Sequence, residues 1–116
     1  MRMVLALIQP TKLSAVQEAL ARIGVERMTV CDALGYGRQR GQVAGSRAAA
    51  GPTALLRKIA LEIAVNEDFL DKTVETLARI AKSGPEGAIG DGKIFVLPIE
   101  EVVRLSDTVR GPEAIS

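Results

Sequence analysis

The chain has no histidine, no tryptophan, one cysteine, one tyrosine and two phenylalanines among its 116 residues. Without histidine, a Ser-His-Asp triad and imidazole metal sites are excluded. A lone cysteine, Cys31, excludes an internal disulfide and a cysteine-based zinc cage; in its β-type run it is expected as a small buried hydrophobe. The scarcity of aromatics makes the core aliphatic and leaves little material for stacking nucleic-acid bases. Charge of one sign is lacking too. Fifteen Lys and Arg against 14 Asp and Glu give a net charge of +1, no general drive towards nucleic acid or membrane. No apolar run reaches membrane-spanning length, and Met3–Ile8 is too short for a signal-peptide core. What remains is 47% hydrophobic and 25% charged, the composition of a globular protein, expected as one domain over 1–116 and in the cytoplasm.

Two glycine-rich, basic stretches stand out. Gly90-Asp91-Gly92-Lys93 leads into the apolar run Ile94-Phe95-Val96-Leu97. Glycines let a backbone approach a ligand closely, Asp91 tolerates the same unusual dihedrals, and Lys93 adds a cation; the set suits an anion such as a nucleotide phosphate. A hairpin turn entering a core strand has the same composition, so this stretch alone leaves both readings open. Gly35-Tyr36-Gly37-Arg38-Gln39-Arg40-Gly41 is the second stretch. It is not a dinucleotide fingerprint, because no helix opens at its third glycine, and no Gly-Lys-Ser/Thr closes a Walker loop after it.

The periodicities order the rest. Met3–Ile8 reads as a strand buried on both faces, and Thr11 as the cap of a helix carrying Leu13, Val16, Leu20 and Ile23 on one side and stopped by Gly24. Met28–Leu34 is a second strand. Gln42–Thr53 has neither period, and a patternless segment of that length in a small domain points to a functional loop. No acid falls between Asp32 and Glu62, whereas Arg38, Arg40, Arg47, Arg57 and Lys58 do; five cations there serve a partner or simply solvate the loop. From Lys58 to Val65, Ile59, Leu61, Ile63 and Val65 alternate with Lys58, Ala60, Glu62 and Ala64, the first face for helices and the second for another subunit or a polar cleft. Asn66 caps a second helix with Glu67 and Asp68 in its first turn, a stripe of Leu70, Val74, Leu77 and Ile80, and Arg79 and Lys82 in its last turn. A strand Lys93–Leu97, one or two helical turns within Ile99–Leu105 and a polar tail from Ser106 complete the chain. β-α-β, long loop, β-α-β with right-handed crossovers gives an α+β, ferredoxin-like antiparallel sheet of four strands with both helices on one face. Its open face calls for a homo-oligomer.

That element order, the string GYGRQRG at 35–41, Lys58 opening the third strand, and IGDGKIFVLPIEEVVRL at 89–105 together resemble the PII nitrogen-regulatory signal proteins. The resemblance runs over almost the whole chain, from MRMVLALIQPTKLSAVQEAL to RGPEAI. It implies a non-enzymatic homotrimer that binds ATP or ADP in clefts between subunits, with Mg²⁺ and 2-oxoglutarate as companions. A protruding T-loop, here about 37–57, would dock on a target protein such as a transporter or an enzyme; no nucleic acid is expected. By resemblance, Met28, Thr29 and Ala64 take the adenine side. Gly35, Gly37, Arg38 and Gln39 border the phosphates. The loop at about 84–93, with Gly90, Asp91, Gly92 and Lys93, holds them together with Arg104. Gln39 helps ligate Mg²⁺, and Gln39 and Lys58 meet 2-oxoglutarate.

The chain departs from the family pattern in several places. Gly51 stands where many members carry a modifiable tyrosine, so uridylylation there is impossible. Its T-loop is alanine-rich and almost free of acids, which removes the family's usual target contacts. Pro85-Glu86-Gly87 reads as an insertion. Altered contacts of this kind also suit a PII-like sensor of another small metabolite or anion that has lost the 2-oxoglutarate response and regulates a transporter. Ser106 replaces a second arginine two residues after Arg104. One charge-assisted bond to phosphate contributes about 1.5–3 kcal/mol, so Ser106→Arg is expected to tighten triphosphate binding roughly 10- to 100-fold. Isothermal titration checks this, and an unchanged affinity contradicts it.

Overall fold

In the computed structural model, which describes residues 1–37 and 55–116, strict alternation at the third strand sets the layering. The elements are β1 (Arg2–Ile8), α1 (Leu13–Arg22), β2 (Thr29–Gly35), β3 (Leu56–Val65), α2 (Glu67–Ile80) and β4 (Gly92–Pro98). They form one antiparallel sheet in the order β2-β3-β1-β4, so each helix crosses over one strand to reach the next. This is the α+β, ferredoxin-like fold. Ile59, Leu61, Ile63 and Val65 are buried with Val4, Ala6 and Ile8 of β1, under Val16 and Leu20 of α1, Leu77 of α2 and Ala81 just after it.

The helices end as their sequences dictate. Gly24, at φ 88°, closes the turn after α1, and its N–H bonds the Ala21 carbonyl. Glu67 and Asp68 lie in the positive first turn of α2. The buried row of α2 is Thr73, Thr76 and Leu77, with Leu70, Val74 and Ile80 flanking it. Thr73 is tolerated in the core because its hydroxyl donates to the Phe69 carbonyl at 2.7 Å.

Several expectations are corrected. β1 is buried on one face only: Val4, Ala6 and Ile8 are buried, while Met3, Leu5 and Leu7 are half-buried on the open face. Cys31 is exposed rather than buried, since β2 is an edge strand and Cys31 pairs with Ala60 on the open face. Thr11 makes no cap; it sits in a 3-10 turn, Pro10–Lys12, that precedes α1. Asn66 occupies the cap position of α2, but its amide donates to the Pro112 carbonyl instead. Lys82 lies beyond the end of α2. Residues 99–105 form no helix; Val103 bridges to Arg110, and the tail adds a 3-10 turn at Pro112–Ala114 that buries Ala114. Arg57 belongs to β3, which begins at Leu56, and not to the loop. Arg38, Gln39, Arg40, Arg47 and most of the proposed functional loop lie outside the described residues.

The register places Leu5, Leu7, Ala60, Ala64, Phe95 and Leu97 on the open face. Phe95 and Leu97 are 44% and 45% exposed beside Leu5 and Met3, an apolar surface on β1 and β4 bordered on β3 by Ala60 and Ala64 with Glu62 between them. The helix-covered face holds the fold. Leu77→Ala, at a fully buried position, is expected to lower unfolding free energy by about 2–5 kcal/mol in a denaturant titration.

Candidate functional site

The positive-φ glycines concentrate where α2 hands over to β4. Gly87, Gly90 and Gly92 all have positive φ, and Gly92, at 118°, admits no other residue: a Cβ there would stand 1.7 Å from the Leu7 carbonyl oxygen. Between them the chain is knotted by one carboxylate. Asp91 accepts from the Ser83 amide at 2.9 Å, the Ser83 hydroxyl at 2.5 Å and the Ala88 amide at 2.8 Å. Burial pushes the Asp91 carboxyl up, but the bonds from Ser83 and Ala88, with the charge of Lys12, outweigh it and hold the carboxyl below its ordinary value. Asp91 therefore shapes the loop, its oxygens turned to the loop's own donors.

The Gly90 carbonyl ties this loop to the sheet. It accepts from Gln9 Nε2 at 2.9 Å and from Lys58 Nζ at 2.6 Å, joining the end of β1, the start of β3 and the loop at one oxygen. Burial pushes the Lys58 ammonium down, and the Asp91 charge opposes that without cancelling it. Gly35 faces Lys58 across the β2–β3 pair, and a Cβ there would press on Lys58 Cγ at 3.1 Å. Lys93 opens β4 on the same sheet end and is exposed. Behind the loop lies a cavity of about 600 Å³ walled by Leu77, Ala81, Ile89 and Ile94, with Lys82 and Lys93 at its margin.

Met28, Thr29, Ala64 and Arg104 do not join this group. Thr29 pairs with Glu62 and Gly35 with Leu56, so the seven-residue β2 separates them by about 20 Å. β4 likewise separates Lys93 from the segment bearing Arg104. Ala64 lines a second cavity, about 290 Å³, with Arg27, Phe69 and Ile115. Arg104 sits in the tail near it, its Nε and Nη2 forked onto Asp107 at 2.9–3.2 Å and its Nη1 donating to the backbone oxygens of Glu113 and Ser116. The candidate residues thus form two half-sites at opposite ends of one sheet. Gly37 is the last described residue before the loop; Arg38 and Gln39 lie outside the described set. Among the described residues no cluster of acids or thiols could hold a metal ion unaided.

Sequence reasoning missed Gln9, Ser83 and Asp107. Asp107 was within reach, three residues from Arg104 in a short turn, whereas Gln9 meets Gly90 across 81 positions and carries no local signal.

Residues 1–108 match the family described as nitrogen regulatory protein P-II. The chain is 47% identical over 115 residues to the nitrogen regulatory protein GlnK1 of Methanosarcina mazei, covering 99% of this chain and 97% of that one. It is 42% identical to the nitrogen regulatory protein P-II of Rhizobium etli, over 99% and 100% of the two chains. Among solved structures, Arabidopsis thaliana PII bound to citrate superposes with a TM-score of 0.78 at 31% identity, covering 98% of this chain and 88% of that one.

The Asp91 knot is testable by pH. A carboxyl held below its ordinary value adds stability that is complete above about pH 4 and fades as pH falls through the lower folded value. Asp91→Ala is expected to cost about 1–2 kcal/mol at neutral pH and to flatten the acid limb of the stability profile, read by denaturant titration at stepped pH.

Proposed function

The chain belongs to the nitrogen regulatory protein P-II family, a family of regulators and not of enzymes, and on that premise we propose that it is a signal protein binding ATP or ADP between subunits of a homotrimer. One observation carries the proposal: the two half-sites stand at opposite ends of the sheet, so no single chain brings Lys93 and Arg104 to the same phosphate. A head-to-tail ring resolves this, because each cleft then takes one half-site from each neighbour, and closure of the ring leaves no cleft unfilled. The apolar open face, with Leu5, Leu7, Phe95 and Leu97, supplies the surface such a ring would bury.

In that cleft Met28, Thr29 and Ala64 of one protomer would face the adenine. Gly35, Gly37, Arg38, Gln39 and Gly90–Lys93 of its neighbour would meet the phosphates through backbone N–H groups and the Lys93 ammonium, with Arg104 reaching in from the adenine side. Asp91 acts through the loop it shapes and not by touching phosphate. Mg²⁺ would be held mainly by phosphate oxygens, with Gln39 as its protein contact. Lys58 would offer its ammonium to a carboxylate of 2-oxoglutarate, exchanging its bond to the Gly90 carbonyl for a charged partner. The T-loop at about 37–57 would carry the signal to a target protein in the cytoplasm. Among the described residues no helix is long and apolar enough to cross a membrane.

A second reading, a sensor of a different small carboxylate, is favoured by the citrate bound to the Arabidopsis protein. Titrating the carboxylates against protein at fixed Mg·ATP separates the two. For the nucleotide itself, isothermal titration of ATP and ADP is expected to give saturable heat, with Lys93→Ala weakening ATP roughly 10- to 100-fold. No heat at millimolar nucleotide contradicts the proposal.

A further inference from the structure

Arg104 is not idle while it waits for a phosphate. Every nitrogen of its guanidinium is engaged: Nε contacts both Asp107 oxygens at 3.0 and 3.2 Å, Nη2 contacts Oδ2 at 2.9 Å, and Nη1 reaches the Ser116 oxygen at 3.0 Å and the Glu113 oxygen at 3.4 Å. The Asp107 carboxylate thus fills the planar fork that would grip a phosphate oxygen pair. The turn is built to keep it there. Asp107 Oδ1 also accepts the Val109 amide at 3.1 Å, and the backbone closes through Thr108 N–H to Arg104 O at 2.8 Å and Arg104 N–H to Val109 O at 2.9 Å. Thr108 takes a left-handed φ of 59°, the sole non-glycine among the described residues to do so.

We propose that Asp107 is a built-in competitor for Arg104: it holds the guanidinium fork in the free protein, so phosphate binding exchanges one carboxylate for another anion and frees the tail from Glu113 to Ser116. The proposal rests on the nucleotide reading above, in which Arg104 meets the phosphates. Asp107 then sets affinity without touching the ligand, and the state of the C-terminal tail becomes linked to occupancy of the cleft. Opening the ion pair is a step common to every ligand that uses Arg104. Its removal therefore shifts ATP and ADP by one shared factor instead of changing the preference between them. Both partners are partly solvent-exposed, at 31% and 46%, which keeps the competition modest.

Asp107→Asn is the informative variant, because the Asn side-chain oxygen still accepts the Val109 amide while the charge is gone. Isothermal titration of the full-length protein is expected to show ATP and ADP each tightened by the same factor of about two to five. Hydrogen exchange supplies the second readout: in wild type, adding ATP is expected to speed exchange at the Thr108 and Val109 amides, and in Asp107→Asn that effect is smaller. If wild type binds both nucleotides and Asp107→Asn binds them equally well or more weakly, the competition is overturned while the nucleotide reading stands. If neither protein gives heat, the nucleotide reading fails and the competition fails with it.

Discussion

Antiparallel pairing with β3 places Thr29 and Gly35 at opposite ends of the sheet, and the functional account follows from that separation. Extended backbone does not shorten, so residues at the two ends of a strand stay about 20 Å apart whatever the loops do. In the proposed site each end would carry part of a phosphate-binding apparatus: glycine turns and Lys93 at one, Arg104 at the other. Neither is complete alone. On that proposal assembly would be a condition of binding, and the apolar open face would be the surface it buries.

Within one end, the Gly90 carbonyl is the junction. Gln9 and Lys58 both bond it, and Asp91, the next residue, ties the loop to Ser83 and Ala88. A ligand that draws Lys58 away removes one of two tethers on the loop expected to meet the phosphates. Phosphates on the loop and a carboxylate on Lys58 would then be coupled through this junction, each changing the affinity of the other by the same factor. At the far end the Arg104–Asp107 fork plays the corresponding part, with a tail instead of a loop as the element released.

Much of this was legible in the residues. The alternation of Ile59, Leu61, Ile63 and Val65 against Lys58, Ala60, Glu62 and Ala64 gave both faces of the sheet, and the glycines before Lys93 marked the turn where Gly92 admits no Cβ. Local periodicity does not report strand order, however, and strand order decided Cys31: the same apolar run is buried at the centre of a sheet and bare at its edge. Met3, Leu5 and Leu7 look like core in sequence because apolar character alone does not say which face of the sheet the helices cover. Neither Asn66 nor Thr11 makes a capping bond: Thr11 sits in the 3-10 turn before α1, and Asn66 turns its amide to the Pro112 carbonyl without its oxygen bonding the first N–H groups of α2. The polar tail concealed a turn, since Asp107 reads as a solvated charge until Arg104 folds onto it.

The most direct measurement is subunit complementation. Lys93→Ala disables one half-site and Arg104→Ala the other, so each variant assembled alone lacks part of every cleft. Dissociating the two, mixing them in equal amounts and reassembling them is expected to restore wild-type affinity in about a quarter of the clefts, those pairing an intact end from each variant. A mixture that binds ATP no better than the two variants measured apart would contradict a cleft shared between neighbouring chains.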